Sequence, residues 1–380
     1  MPAGLRRAVT LLALVVLAAG VLAATALRDT EPTSALRGEA PATVAPSPTV
    51  APTTAAPTTV PPNTIAPTQP VSLPLPGCPP PPRPPGGGTP APSWRPPRLV
   101  PEVQLPAARP APPVANDLGP VTGKGMWIWK TLQTEAGDVD KVVARATASG
   151  LRQIWVRVGD SRDGFYAADY LSRIVPKAHE AGLSVIGWGF PFLHDPEADA
   201  AWSIEAVNWR APDGSRLDGF SPDIELASEG VVLTEKRITL YLGLVRPAAG
   251  SMPMIATVYR ATDARWNGTY PYRAIAPYVD AFAPMVYWGC AEPGAATLES
   301  VERLASLKPV HVIGQGYDAG PEGGRLGAPS AAETVRFLDV ARRAGAIGAS
   351  MWVWQSMPGE QWDALSTYVW PIPPTRRAGA

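Results

Sequence analysis

Leu217-Asp218-Gly219-Phe220-Ser221-Pro222-Asp223-Ile224-Glu225-Leu226 places two carboxylates two residues apart at the end of an apolar, strand-like run. On a strand, residues i and i+2 share a face, so Asp223 and Glu225 point the same way with Cβ atoms roughly 6–7 Å apart. That separation suits the cleavage of a sugar acetal, in which one carboxylic acid protonates the leaving oxygen and a second group stabilises or attacks the anomeric carbon. Acidic pairs on strands also serve as ion-pair partners or helix caps, so the meaning of this pair rests on its surroundings.

Working outward, the run is one of eight of its kind. Apolar strand-like stretches recur at Gly125 to Trp129, Gln153 to Val158, Ser184 to Gly189, Gly219 to Ile224, Met254 to Tyr259, Ala281 to Tyr287, Val310 to Gln315 and Ala349 to Trp354. Stretches of helical period separate them, from Asp138 to Ser149 through Ser330 to Ala344, with a last one at Gly359 to Tyr368. The least regular connection, Arg260 to Pro277, holds only a short helix near Tyr272 to Ala276. Eight strand-then-helix units in residues 121–380 describe an α/β fold, a (β/α)8 TIM barrel. No glycine-rich phosphate loop argues for an open nucleotide-binding sheet.

In such a barrel the functional residues sit at the C-terminal ends of the strands. Read in order, those positions hold Trp129 and Lys130, Arg157 and Asp160, Trp188, Asp223 and Glu225, Tyr259 and Arg260, Tyr287 and Trp288, Gln315, Tyr317 and Asp318, and Trp352, Trp354 and Gln355. All but one of the 13 tryptophans fall in the domain. Flat aromatic faces bind the apolar faces of sugar rings by stacking and dispersion. Trp129, Trp188, Trp288, Trp352 and Trp354, with Gln315 and Tyr317, are therefore the expected substrate-binding residues. Core packing is the ordinary role of any one Trp, and only the clustering at one end argues for a sugar site.

These motifs resemble those of the family 18 glycoside hydrolases, the chitinase and endo-N-acetylglucosaminidase group of (β/α)8 barrels. Asp218-Gly219-Phe220-Ser221-Pro222-Asp223-Ile224-Glu225 is similar to the family's fourth-strand signature Asp-Gly-x-Asp-x-Asp-x-Glu. Met285-Val286-Tyr287 resembles its sixth-strand Met-x-Tyr, and Trp352 or Trp354 its last-strand tryptophan. The resemblance implies that Glu225 is the general acid, that Asp223 orients the substrate's acetamido group and that Tyr287 hydrogen-bonds it. Cleavage would then be substrate-assisted, with the acetamido oxygen attacking the anomeric carbon. Two positions depart from the pattern: Ser221 and Trp288 stand where the family carries aspartates that support the protonation cycle. Pro222 cannot donate a ladder hydrogen bond, so a bulge is expected there.

The rest of the chain reads as delivery apparatus. Residues 1–27 carry Arg6 and Arg7, an uncharged apolar run and Ala24-Thr25-Ala26, the form of an export signal; uncleaved, the same run is long enough for a membrane anchor. Residues 28–120 hold more than half of the 47 prolines and read as an extended, disordered Pro/Thr/Ala-rich linker. The expected location is therefore secreted or cell-surface. The 2 cysteines, Cys78 in the linker and Cys290 beyond the sixth strand, suit a disulfide in an oxidising compartment, with free or intermolecularly paired thiols as the alternative. The 3 histidines, His179, His194 and His311, lack metal-ligand spacing, so neither metal nor cofactor is expected. Charges balance at 33 basic and 33 acidic residues with no basic run, which excludes nucleic acid as a partner. The sequence thus describes an exported barrel that acts on a β-linked amino-sugar polymer such as chitin or peptidoglycan. The alternative is a non-catalytic glycan-binding or cell-wall-associated protein on a degenerate hydrolase barrel, for which Ser221 and Trp288 speak.

Overall fold

A computed structural model describes residues 98–110, 116–322 and 324–371. Eight parallel strands run around a barrel: β1 (Gly123–Ile128), β2 (Gln153–Asp160), β4 (Ser184–Phe190), β5 (Gly219–Pro222), β6 (Ile255–Tyr259), β7 (Ala281–Val286), β8 (His311–Gln315) and β9 (Gly348–Trp352). A ninth, β3 (Gly164–Phe165), folds back antiparallel on the end of β2. Each barrel strand is followed by a helix: α1 (Val139–Ala148), α2 (Ala168–Glu180), α3 (Pro196–Asn208), α4 (Glu235–Ala249), the short α5 (Tyr272–Ile275), α6 (Pro293–Ala305), α7 (Ala331–Arg343) and α8 (Gly359–Thr367). Helix starts follow from the side chains that precede them. Asp138, Asp195 and Thr234 accept backbone N–H bonds at the starts of α1, α3 and α4, and Ser330 with Glu333 forms a reciprocal cap on α7.

Alternation along the strands divides the core into two shells. Outward residues such as Met126, Ile154, Val156, Phe220 and Phe282 pack under the helices. Inward residues fill the barrel, where Trp127 and Trp155 stack at 4.6 Å and Trp127 meets Trp188 edge-on at 5.6 Å. Three indoles fit only because the facing positions are small. A Cβ on Gly125 would lie 2.9 Å from Trp155 Nε1, and one on Gly219 2.9 Å from Ile186 Cδ1. At the closed end His311 has Val121 O at 2.8 Å and Ser350 Oγ at 2.9 Å, one partner per ring nitrogen, and burial holds its pKa down at about 4. Lys124 Nζ reaches the carbonyls of Ser149, Leu365, Ser366 and Tyr368, tying the ends of α1 and α8 together.

The seam between β5 and β6 is unlike the others. Phe220 N–H donates to Pro253 O at 3.0 Å and Ile224 N–H to Thr257 O at 2.9 Å, and the bond due between them from residue 222 is absent because Pro222 has no N–H. Ile255 O, the orphaned acceptor, takes the Ser221 hydroxyl at 2.7 Å instead. The bulge expected at Pro222 does not form: register with β4 runs unbroken from Ile186↔Gly219 to Gly189↔Pro222. The irregularity lies in β2, between Arg157 and Gly159.

Residues 98–110 lie against the barrel, although their composition reads as spacer. Val100 N–H donates to His194 O at 3.0 Å, the buried Arg237 bonds Val100 O, and Tyr278 Oη donates to Arg109 O at 3.1 Å. The expected export signal or anchor of residues 1–27 and most of the proline-rich segment lie outside the described residues, as does Cys78; Cys290 belongs to a disulfide. Among the described residues no helix is long and apolar enough to cross a membrane.

Candidate active site

Asp223 and Glu225 follow directly on β5, at the open end of the barrel. Asp223 is anchored on both sides, its N–H donating to Gly189 O at 2.8 Å and its backbone bridging to Thr257 of β6. It is 6% exposed. Burial pushes its carboxyl well above the usual range, the nearby Glu225 adds to the rise, and Arg157 opposes it. Glu225 is pushed up to about 7, again by burial, against a hydrogen bond from Tyr259 that favours the charged form. Tyr259 ends β6 and is bonded to both Glu225 and Ser228. Behind the pair, Tyr270 Oη donates to Ile224 O at 2.6 Å. Asp223 Oδ1 and Glu225 Oε2 are shielded from solvent and have no hydrogen-bond partner. Two adjacent carboxyls, both displaced toward the neutral form and each with an oxygen to spare, are suited to proton transfer to a bound substrate.

Aromatic walls stand on the other side. Trp352 ends β9, and its ring lies 6.1 Å from Trp129, which follows β1, and 5.3 Å from Trp188 beneath. Trp129 is 41% exposed. Tyr287 packs against the interior cluster that also holds Tyr259 and Trp352, and meets Tyr317 edge-on at 5.7 Å. Of the expected residues, the structure therefore gathers Asp223, Glu225, Tyr287, Tyr317, Trp129 and Trp352 at the mouth.

Other expected residues are placed elsewhere. Trp288 is 2% exposed, packs on Phe337 of α7 at 5.4 Å and donates to Glu333; with Tyr287 turned inward, its chain neighbour must face the helices. Trp354 is likewise buried, its ring 4.8 Å from Trp362 of α8 and its Nε1 donating to Glu135. Trp188 is floor packing, with Nε1 on Ile128 O at 3.1 Å. Gln315 is consumed by the loops, accepting from Gly289 N–H at 3.0 Å and donating to Tyr317 O at 3.2 Å. These four present no sugar-binding face.

Two further strand-end residues belong to the site: Tyr259, through its bond to Glu225, and Arg157, which faces Asp223 from β2. Sequence reasoning places both at the rim without giving them a role, and strand-end position is the signal that could have done so. Among the described residues no group of three His, Cys, Asp or Glu is arranged to hold a metal ion.

No protein-family model matches the chain, and no curated protein does. Solved structures similar to it are glycoside hydrolases of several kinds. A chitinase from Chromobacterium violaceum ATCC 12472 is 11% identical with a TM-score of 0.47, covering 64% of this chain and 98% of its own. A class V chitinase from Pseudomonas fluorescens Pf-5 is 13% identical at 0.46, over 64% and 98%. An endo-1,4-β-mannanase from Rhizomucor miehei is 10% identical at 0.48, over 65% and 90%. Likenesses of this degree carry no argument; the barrel stands on its own strand order, and the chemistry on the carboxyl pair at its mouth.

Proposed function

We propose that the protein is an exported glycoside hydrolase that cleaves a β-linked amino-sugar polymer by general acid catalysis with substrate assistance. The observation that carries this reading is the carboxyl pair that follows β5, raised toward the neutral form by burial, with one shielded oxygen of each left without a hydrogen-bond partner. Glu225, poised at about 7, is still substantially protonated near neutral pH and gives its proton to the glycosidic oxygen as the C1–O bond breaks. The substrate's acetamido oxygen closes on C1 in the same step, while Asp223 accepts the acetamido N–H and Tyr287 hydrogen-bonds its oxygen. Water then opens the cyclic intermediate and returns the proton to Glu225, so configuration is retained. Trp352 and Trp129 supply apolar faces for the sugar rings.

The second reading, a glycan-binding barrel without turnover, is favoured by one observation. Ser221, in place of a third inward carboxyl, is committed to Ile255 O and to Thr257 Oγ1 at 2.8 Å, so no acid lies beneath Asp223 on β5 to share its proton. Incubation of the full chain with acetamido polymers and with a glucosyl polymer, with mass-spectrometric product detection, decides between them. Products from the acetamido polymers alone support hydrolysis with substrate assistance. Turnover of the glucosyl polymer at comparable rate overturns the assistance, and binding without products overturns the hydrolase.

A further inference from the structure

Among the strand-end residues, Asp223 Oδ1, Glu225 Oε2, Gln355 Oε1 and Arg157 Nε are buried with no hydrogen-bond partner, and Arg157 is the donor among them. Arg157 is held firmly. The register shift in β2 follows it directly, its guanidinium lies over Trp188 at 5.0 Å and Phe190 at 5.9 Å, and one Nη sits 2.9 Å from Asp160 Oδ2. Asp160 is itself fixed by the N–H groups of Arg162 and Asp163 at 2.9 and 3.1 Å. Burial alone would raise the Asp160 carboxyl, but those N–H bonds and the charges of Arg157 and Arg162 outweigh it and hold it below the usual range, so it remains an anion. The arginine is thus gripped by Asp160 and also engages the Tyr166 hydroxyl, with its side chain 11% exposed and its shielded Nε without a partner. Leaving a buried donor of a charged group unmet is costly, and a ligand acceptor removes that cost.

A second cation stands beside it. Ile128 of β1 pairs with Val156 of β2, so the next residues along, Trp129 and Arg157, are neighbours at the rim. Lys130 Nζ lies 4.4 Å over the Trp129 ring and makes no ion pair among the described residues. The β1–β2 side of the mouth therefore offers a fixed guanidinium and an ammonium beside an exposed indole, with only β4 between β2 and the acid-bearing β5. A planar guanidinium matches a carboxylate better than a neutral carbonyl.

We propose that this corner is an anion subsite and that the polymer bears a carboxylate, as a lactyl ether or a hexuronate, on the sugar bound against Arg157 and Lys130. The proposal rests on the hydrolase reading for its substrate backbone and adds the acidic substituent. Burial of Asp223 and Glu225 toward their neutral forms removes the repulsion that two ionised neighbours would impose on such a group.

The test uses the full chain with matched amino-sugar oligosaccharides: neutral, lactyl-bearing, hexuronate-bearing and carboxyl-reduced. Turnover is followed in the native protein, and binding by calorimetry in Glu225→Gln. Carboxylated ligands are expected to exceed their carboxyl-reduced forms at least tenfold in kcat/KM and in affinity. Arg157→Gln should erase that ratio in affinity and in kcat/KM, and Lys130→Gln should lower it a few-fold. Preference for only one carboxylated form identifies the source of the anion. Equal handling of carboxylated and reduced ligands by the native protein overturns the subsite, and so does a preference that survives Arg157→Gln. Should that variant not fold, Lys130→Gln and the native comparison decide the matter in the same way. Carboxylate-dependent binding without cleavage overturns the hydrolase and keeps the subsite. Cleavage of neutral and acidic polymers alike does the reverse.

Discussion

At the closed end of the barrel Lys124 gives its ammonium to carbonyls of two helix ends, and His311 has a partner at each ring nitrogen. At the open end Asp223, Glu225 and Arg157 each keep a buried polar atom with none. Both sets have lost water, and burial acts on both. It pulls Lys124 down to about 8 and His311 to about 4, and pushes Glu225 up to about 7. What differs is the use of the hydrogen bonds. Bonds made within the chain stabilise the fold, whereas atoms left unmet in a fixed frame are stabilised only when a ligand arrives. Unmet atoms are not confined to the open end, since Gln153 Oε1 at the start of β2 is one, but the closed end's two titratable groups spend their bonds on the fold and the open end's acids do not.

The largest test of this contrast is Glu225→Gln. Turnover should fall at least about a thousandfold while glycan affinity holds, since amide and carboxylic acid share a shape and only the acid gives a proton. The same variant reads out the burial. Glu225 has a folded pKa raised from 4.5 to about 7, so its contribution to stability is full below pH 4.5 and lost as pH rises through 7. Glu225→Gln stays neutral, and its Tm should match the native protein in acid and exceed it by roughly 3–6 °C at pH 8. A Tm difference independent of pH would show that the carboxyl is solvated.

Next in size is Lys124→Met, which strands the carbonyls at the ends of α1 and α8. Urea titration should show a loss of about 3 kcal/mol, with kcat within twofold of native. Loss of activity in the folded variant would break the division between the two ends. Tyr259→Phe removes the bond that favours ionised Glu225. The expected result is about a tenfold fall in kcat and an alkaline limb of the pH profile displaced to higher pH, because the acid then holds its proton more tightly. A limb displaced to lower pH would contradict the contact. The smallest pair compares two tryptophans: Trp352→Phe should lower kcat/KM roughly fivefold, and Trp288→Phe less than twofold.

Much of the barrel is legible in the sequence because parallel strands buried on both faces read as near-continuous apolar runs, and all eight lie where those runs stand. The acid pair is legible for a related reason, since i, i+2 spacing on a strand is a local property. Non-local relations escape. Ser221 looks like a lost carboxylate, yet its hydroxyl stands in for the N–H that Pro222 lacks, a role set by Ile255 on the next strand. Tyr259 meets Glu225 only because β6 lies beside β5. Trp288 and Trp354 sit close to strand ends, but inward or outward direction depends on where regular pleating stops, which composition does not mark. The four tryptophans at positions 127, 155, 188 and 352 form one continuous cluster of rings, so indoles gathered at one end of the barrel are not all surface.

The side-chain rung at Ser221 has a kinetic consequence. Where β5 meets β6 near the acids, the barrel is held by two amides and a hydroxyl in place of an unbroken run of backbone bonds. Breathing of the cylinder should start there: the Ile224 amide should exchange its proton for deuterium faster than that of Met126 or Ile154, at equal burial. Each such opening should wet Asp223 and Glu225 and let them ionise, so this joint sets how long the pair stays neutral.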